Sequence, residues 1–137
     1  MAKHSPNAAC PCGAGNKYKR CCGAYHAGAP APTPETLMRS RFCAYALGLV
    51  DYIIDTTDPE GSAWEPDHAQ WAAEVVRFCT STRFEGLEIR SSHASGDRGE
   101  VTFHAQLRRG ADDVSFAERS TFVRVAGRWL YHAGEAA

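Results

Sequence analysis

Residues 101–108, Val-Thr-Phe-His-Ala-Gln-Leu-Arg, alternate between apolar and polar side chains without a break. This period of two is typical of a β-strand with one face against a core, because successive strand side chains point to opposite sides. Strand patterns also occur at residues 84–90, 114–122 and 128–132. Turn-forming residues occupy positions 95–97, 109–111 and 126–127, so we expect an antiparallel meander of about four strands.

Helical patterns precede these strands. Residues 33–35, Thr-Pro-Glu, combine a hydroxyl N-cap, a proline at the first helical position and an acid in the first turn, and Gly48 is expected to end this helix. A second short helix is predicted at residues 50–56, and Asp67 is the expected cap of a third, with Gln70 in the capping-box position. Three helices followed by antiparallel strands predict an α+β fold in which the sheet curls around the helices.

The composition limits the classes of protein to consider. The 137 residues are 44% hydrophobic and 23% charged, with a net charge of −1, which is typical of one globular domain with a small appendage. No apolar run approaches the roughly 20 residues that cross a bilayer, and residues 1–6 lack the apolar segment of a signal peptide. We therefore expect a cytoplasmic protein without membrane association.

The charge is divided unequally along the chain. Residues 1–28 contain four basic residues and no acidic ones, whereas the remainder contains 11 basic and 16 acidic residues. Residues 29–33 are rich in alanine and proline, which favours a stiff, extended connector. We expect a small N-terminal unit at 1–28, a linker at 29–33 and an α+β domain at 34–137.

Residues 10–23, Cys-Pro-Cys-Gly-Ala-Gly-Asn-Lys-Tyr-Lys-Arg-Cys-Cys-Gly, contain four cysteines as two close pairs. Four thiolates can close a tetrahedron around one Zn²⁺, and a site with every position filled by protein is structural rather than catalytic. Basic side chains between the pairs would offset the negative charge of the thiolates: Lys17, Lys19 and Arg20.

Other interpretations of the cysteines remain open at this stage. Disulfides and free thiols are disfavoured in a cytosolic protein, and the spacing differs from that of ferredoxin iron–sulfur clusters. Because the neighbours Cys21 and Cys22 would both have to turn inward, His26 is a reserve candidate for the fourth ligand.

This string resembles the SEC-C motif, a small zinc knuckle found in the SecA preprotein translocase motor and in many unrelated proteins. Ala14 stands where a serine is usual, and Cys22 stands where SecA has histidine. The resemblance implies zinc ligands at the positions of Cys10, Cys12, Cys21 and Cys22. It also implies an interaction module, because the motif in SecA contacts partner proteins and the ribosome.

Nearly the whole chain resembles the YchJ-like family of uncharacterised bacterial proteins. The similarity is carried by residues 37–45, 51–54, 116–120 and 127–131. That family joins a SEC-C knuckle to a cone-shaped α+β domain of the NTF2-like superfamily, which implies a pocket between the curved sheet and the helices. The resemblance also implies that dimers through the open face of the sheet are reasonable.

Candidate residues for that pocket are Arg39, Arg41, Tyr45, Glu118 and Trp129. An arginine could hold an anionic group through its guanidinium, but two residues apart on a helix only one of the arginines is expected to face the pocket. Aromatic residues at these spacings usually belong to the core.

Glu118 stands out because the strand period places it on the apolar face with Phe116 and Phe122. A desolvated carboxylate suits a general base unless a cation pairs with it. Arg39 and Arg41 are the available partners, so the alternatives are a catalytic base and a buried Arg–Glu ion pair between helix and sheet.

Three functions follow as hypotheses. The first is a zinc-knuckle adaptor that binds a protein or ribosomal partner. In that case, replacing Cys10 and Cys12 by serine should remove the partner and leave the melting of the larger domain nearly unchanged. The second is a small-molecule enzyme that uses Glu118 as base. The third is RNA binding by the basic knuckle, with Tyr18 available for base stacking.

Overall fold

The computed structural model describes residues 4–137. A 3₁₀ turn at Tyr18–Arg20 precedes four helices: α1 (Cys22–His26), α2 (Pro34–Leu47), α3 (Val50–Asp55) and α4 (His68–Ser81). Five strands follow: β1 (Arg83–Ser95), β2 (Arg98–Arg109), β3 (Asp112–Asp113), β4 (Phe116–Val125) and β5 (Arg128–Ala136). Helices before an antiparallel sheet confirm the predicted α+β fold.

The three predicted helices form with the expected ends. The Thr33 hydroxyl accepts a hydrogen bond from the Thr36 amide at 3.1 Å, and Gly48 ends α2 in the left-handed conformation at φ +73°. A carboxylate oxygen of Asp67 accepts a hydrogen bond from the Gln70 amide at 3.0 Å at the start of α4. Within residues 4–137, no helix combines the length and the apolar character needed to cross a membrane.

The sheet is antiparallel, with strand order β1-β2-β4-β5 and the short β3 paired with β2. Both outer strands extend beyond their predicted ends, since β1 continues to Ser95 and β5 to Ala136. Val114 lies before β4 rather than on it. The strict alternation on β2 is confirmed, because its four apolar side chains are all buried: Val101, Phe103, Ala105 and Leu107.

The main core lies between α2 and the concave face of the sheet. It contains Leu37, Met38 and Phe42 from the helix, together with the buried residues of β2, Phe122 and Trp129. A second cluster joins α3 to α4 around Ile53, Trp71 and Val75. We refer to residues 34–137, which hold nearly all of both clusters, as the cone.

The N-terminal unit packs directly against α2. We call its described part, residues 4–28, the knuckle; residues 1–3, which include Lys3 and part of the segment used in the signal-peptide prediction, lie outside the described residues. The connecting residues 29–33 have no helix or strand, and Ala31 is only 7% exposed within the main core. The connector is therefore packed on the cone over part of its length.

Candidate functional site

The knuckle folds so that its two cysteine pairs meet. Ala9 and Lys17 form an isolated antiparallel bridge, and the Cys10 amide donates to the Asn16 carbonyl at 2.9 Å. The loop between them turns at Gly13 and Gly15, whose φ angles of +78° and +91° favour glycine. These contacts bring the first pair of cysteines over the start of α1, where the second pair lies.

The side chains of Cys10, Cys12, Cys21 and Cys22 form one cluster, with all four sulfur atoms within 4.8 Å of one another. The Sγ atoms of Cys12 and Cys21 are 3.6 Å apart. Sulfur atoms at the corners of a tetrahedral zinc site lie about 3.8 Å apart, because each Zn–S bond is about 2.3 Å long. The four sulfurs therefore fit a tetrahedral metal site, and both neighbouring cysteines of the second pair contribute.

Two thiols of this cluster, those of Cys10 and Cys12, hold their protons strongly when no cation compensates their charge. Burial raises the pKa of Cys10. A hydrogen bond with Cys22 and then burial raise the pKa of Cys12. Metal binding must therefore displace protons, which makes the affinity for metal depend on pH.

His26 is not placed as a metal ligand. Its Nδ1 lies 2.6 Å from the hydroxyl of Tyr18, and its Nε2 lies 2.8 Å from the carbonyl oxygen of Ser40. Both ring nitrogens are thus engaged, and the ring lies half-buried between the knuckle and α2. The geometry therefore favours Cys21 and Cys22 over the reserve candidate His26, since the sulfur atoms of both cysteines belong to the cluster.

Cys43 is a feature of the site that the sequence analysis missed. A buried cysteine in a helix among apolar residues is typically an inert core thiol, but the Sγ of Cys43 lies 3.9 Å from that of Cys10 and it packs within the sulfur cluster. Its position on α2 among apolar residues gave no sign of this contact, which depends on how the knuckle seats on the helix.

The outer face of the knuckle is basic. Lys17, Lys19 and Arg20 are exposed, and none of them forms an ion pair within residues 4–137. We call these three residues the basic face. Exposed cations without local partners are available to an acidic surface.

A cavity of about 300 Å³ opens between α2, α4 and the concave face of the sheet. Three of the five residues proposed for a pocket line it: Arg41, Tyr45 and Glu118. The cavity wall is otherwise mainly aromatic and aliphatic.

Arg39 and Trp129 do not line this cavity, which corrects the sequence-based expectation for both. Arg39 faces the knuckle, where its Nη1 donates to the Cys12 carbonyl at 3.2 Å and its Nε lies 3.2 Å from the carboxylate of Glu35. Trp129 is buried in the main core, and the guanidinium of Arg124 lies 5.1 Å from the centre of its ring.

Glu118 does not form the ion pair proposed as its structural role. In the described part of the chain, neither Arg39 nor Arg41 lies within ion-pair distance of it. Its Oε2 instead accepts hydrogen bonds from the hydroxyls of Ser120, at 2.5 Å, and Tyr131, at 3.0 Å. Burial first, and then the neighbouring carboxylate, raise the pKa of Tyr131, so this phenol remains a neutral donor.

Arg41 is held by hydrogen bonds to the end of α3 rather than by Glu118. Its Nη1 donates to the Ile53 carbonyl at 3.0 Å and to the hydroxyls of Thr56 and Thr57 at 2.8 and 3.2 Å. Its guanidinium carbon also lies 4.6 Å from the centre of the Tyr131 ring. These contacts explain why the predicted ion pair does not form.

A partly buried acid–base pair also escaped the sequence analysis. The Nδ1 of His132 lies 2.8 Å from a carboxylate oxygen of Asp58, which is buried. Burial alone would raise the pKa of Asp58, but the hydrogen bonds from His132 and the Glu60 amide lower its pKa overall. The pair fastens the loop after α3 to β5.

Comparison with known families matches both parts of the chain. A family model described as the YchJ middle NTF2-like domain matches residues 33–134, and a model of the SEC-C motif matches residues 7–24. The second match contains all four clustered cysteines.

Solved structures are also similar to this chain. A SEC-C motif containing protein from Rhodopseudomonas palustris is 38% identical, with 95% of this chain and 99% of that one covered and a TM-score of 0.82. A similar protein from Psychrobacter arcticus is 24% identical, with coverage of 96% and 84% and a TM-score of 0.78. An NTF2-like protein of unknown function from Shewanella oneidensis shares the fold alone, at 13% identity, coverage of 73% and 92% and a TM-score of 0.56.

Proposed function

Because the chain belongs to the family of the YchJ middle NTF2-like domain and carries an N-terminal SEC-C motif, we propose that it is a zinc-dependent interaction protein. The observation that carries the proposal is the position of the basic face on a knuckle organised around four clustered cysteines. The knuckle docks on an acidic surface of a protein or ribosomal partner, and the cone holds the knuckle in place.

Zinc is the metal that this donor set suits best. Four thiolates are soft ligands, and a tetrahedral arrangement of sulfur favours zinc over the oxygen-seeking cations magnesium and calcium. With four protein ligands no position remains for water or substrate, so the metal is structural. Metal analysis of the native protein should give one zinc per chain, without the visible absorption of an iron–sulfur cluster.

Charge supports docking by the knuckle rather than by the cone. The knuckle contains no acidic residue, whereas all 16 acidic residues lie after residue 28. A tetrathiolate zinc centre would carry two negative charges, but it is formed largely by buried side chains, whereas the three cations are exposed. An acidic partner would therefore meet the cations first, and salt would weaken the encounter.

The test compares the intact protein with two triple variants. In the first, Lys17, Lys19 and Arg20 are replaced by glutamine. In the control, three exposed arginines of the cone that form no ion pair in the described chain are replaced in the same way: Arg77, Arg98 and Arg109. Partners are identified by quantitative mass spectrometry after capture from native lysate, and binding to purified ribosomes is measured separately.

A protein or ribosomal partner that is lost from the knuckle variant and retained by the control supports the proposal. Equal retention by both variants contradicts it. Capture that disappears on nuclease treatment and falls steeply with salt would instead assign the knuckle to RNA binding, with Tyr18 as a stacking residue.

A further inference from the structure

We propose that the cavity of the cone binds a small organic acid with an apolar body, holding its carboxylate with Arg41 and a hydroxyl group with Glu118. This inference goes beyond the proposed function, which concerns the knuckle. It rests on two polar side chains that face one apolar space and are each left with unused hydrogen-bonding capacity.

Arg41 is a buried cation without an anionic partner. It is 4% exposed, and no carboxylate lies within 4.0 Å of it in the described part of the chain. Buried charges are normally paired, because removing a charge from water is costly. The neutral oxygens around Nη1 hold the guanidinium in position but leave its charge uncompensated.

Two nitrogens of Arg41 are left without a hydrogen-bond partner. Its Nε and Nη2 form no hydrogen bond within residues 4–137. Among those residues, Oγ1 of Thr82 is the single side-chain nitrogen or oxygen that is both fully buried and without a hydrogen-bond partner. Since Nε and Nη2 of Arg41 also lack a partner, they must remain accessible to solvent. Since Arg41 lines the cavity, these nitrogens are the donors that a carboxylate would meet, and a guanidinium can bind it through two parallel hydrogen bonds.

Glu118 supplies an acceptor in a different part of the same cavity. Its Oε2 takes both hydrogen bonds, from Ser120 and Tyr131, and its Oε1 takes none within the described residues. The packing behind it is tight, because a Cβ atom at Gly134 would collide with the Glu118 carboxyl group and the Tyr131 hydroxyl. The carboxylate is therefore fixed, with one oxygen free to accept from a ligand hydroxyl.

Tyr131 separates the two groups. The guanidinium of Arg41 lies over its ring, whereas Glu118 contacts its hydroxyl. A ligand that uses both groups must carry its anion and its hydroxyl at different positions. The rest of the wall accepts an apolar body, with Met38, Phe42, Phe78, Phe84 and Phe103 contributing and the 42% exposed Phe116 marking the open side. A volume of about 300 Å³ suits a molecule built on one ring.

The first experiment varies the ligand rather than the protein. Binding of para-hydroxyphenylacetate to the full chain is measured by calorimetry and by NMR, beside phenylacetate, which lacks the hydroxyl, and para-hydroxyphenylethanol, which lacks the carboxylate. We expect the acid to bind about tenfold or more tightly than the alcohol, because a charge-assisted hydrogen bond is lost. Loss of the hydroxyl should weaken binding several-fold.

The second experiment locates the site. Ala63→Leu places a larger side chain in the cavity wall, and Ala111→Leu at an exposed turn is its matched control. The first substitution should abolish binding of the acid, and the control should retain it. This pair is preferred to substitution of Arg41, whose hydrogen bonds also hold the end of α3.

The proposal fails if para-hydroxyphenylacetate does not bind at millimolar concentration, or if the alcohol binds as tightly as the acid. It also fails if Ala63→Leu, shown to be folded, binds the acid as well as the control does. These outcomes leave the docking proposal untouched, since they concern residues of the cone alone.

Discussion

His26 shows how a single side chain links the knuckle to the cone. Its ring bridges Tyr18 of the knuckle and the Ser40 carbonyl of α2, and the Ser40 hydroxyl in turn lies 2.7 Å from the hydroxyl of Tyr52. Burial lowers the pKa of His26, and the hydrogen bond to Ser40 opposes this only in part. The ring is therefore neutral in the folded protein at neutral pH.

This neutral state predicts a pH dependence of stability. The ordinary pKa of 6.5 applies in the unfolded chain, so below that pH the unfolded state binds a proton that the folded state resists. The free energy of unfolding should consequently be greatest above pH 6.5 and should fall as the pH drops toward the lowered pKa of the folded protein. Urea denaturation at a series of pH values measures this slope, and His26→Gln should reduce it. An unchanged slope in the variant would contradict the assignment.

Cys43 provides a second prediction at the scale of one residue. When the cluster holds a metal, Cys10 is a thiolate and the Cys43 thiol becomes the donor of the contact between them. Cys43→Ala should therefore weaken metal binding on the order of tenfold in chelator competition, whereas Cys43→Ser should recover part of the loss. Cys79→Ala is the matched control, since Cys79 is a buried thiol in the separate cluster between α3 and α4. Equal metal retention by the alanine variants at positions 43 and 79 would refute the role of Cys43.

Among the elements, α2 is central to the fold, because the knuckle, α3 and the sheet all pack on it. Its N-cap is accordingly a point where a small change has a measurable effect. Thr33→Ala removes the hydroxyl that accepts from the Thr36 amide and should lower the free energy of unfolding by about 1 kcal/mol. Thr80→Ala is the control, because the hydroxyl that it removes donates only to carbonyls within α4. Urea denaturation of this variant should show little change in the free energy of unfolding. Equal losses in the two variants would mean that the cap is not stabilising α2.

The ends of the helices and the buried face of β2 could be predicted because they depend on local residue types. Thr33, Gly48 and Asp67 each specify backbone geometry within a few positions of themselves. The predicted outer strands are too short because the final residues of β1 and β5 are held by pairing with the neighbouring strands β2 and β4 rather than by a pattern of their own. Residues 91–95 of β1 are exposed, and all except Ala94 are polar, so they carry no alternation that would indicate a strand.

The partners of Glu118 could not be predicted for a related reason. The strand period placed its side chain correctly near the apolar face, but its hydrogen bond with Tyr131 depends on the register between β4 and β5. That register shifts at a bulge between Thr121 and Phe122. The preference of Arg41 for the end of α3 likewise involves residues 12 to 16 positions away, which no local pattern reveals.

For the whole molecule, the contacts between knuckle and cone revise the expectation that the two melt independently. Cys43 of α2 shares a buried cluster with three of the knuckle cysteines, and the side chain of Arg39 donates to the Cys12 carbonyl. Metal removal would disorder one side of both contacts and expose apolar surface of α2. Metal removal should therefore lower the stability of the cone as well as that of the knuckle.

We therefore expect metal removal by a chelator, or Cys10→Ser combined with Cys12→Ser, to lower the melting temperature of the cone by roughly 5 °C or more, as the loss of 1 to 2 kcal/mol would do in a domain of this size. Calorimetry of the full chain measures the shift. The glutamine variant of Lys17, Lys19 and Arg20 is the control, because it alters the exposed basic face without touching the sulfur cluster, and it should melt with the unmodified protein. If the metal-free protein keeps the same main transition, the knuckle and the cone are energetically separate despite their contacts. If the transition shifts as expected, the metal stabilises the α2 surface on which both the docking face and one wall of the cavity depend.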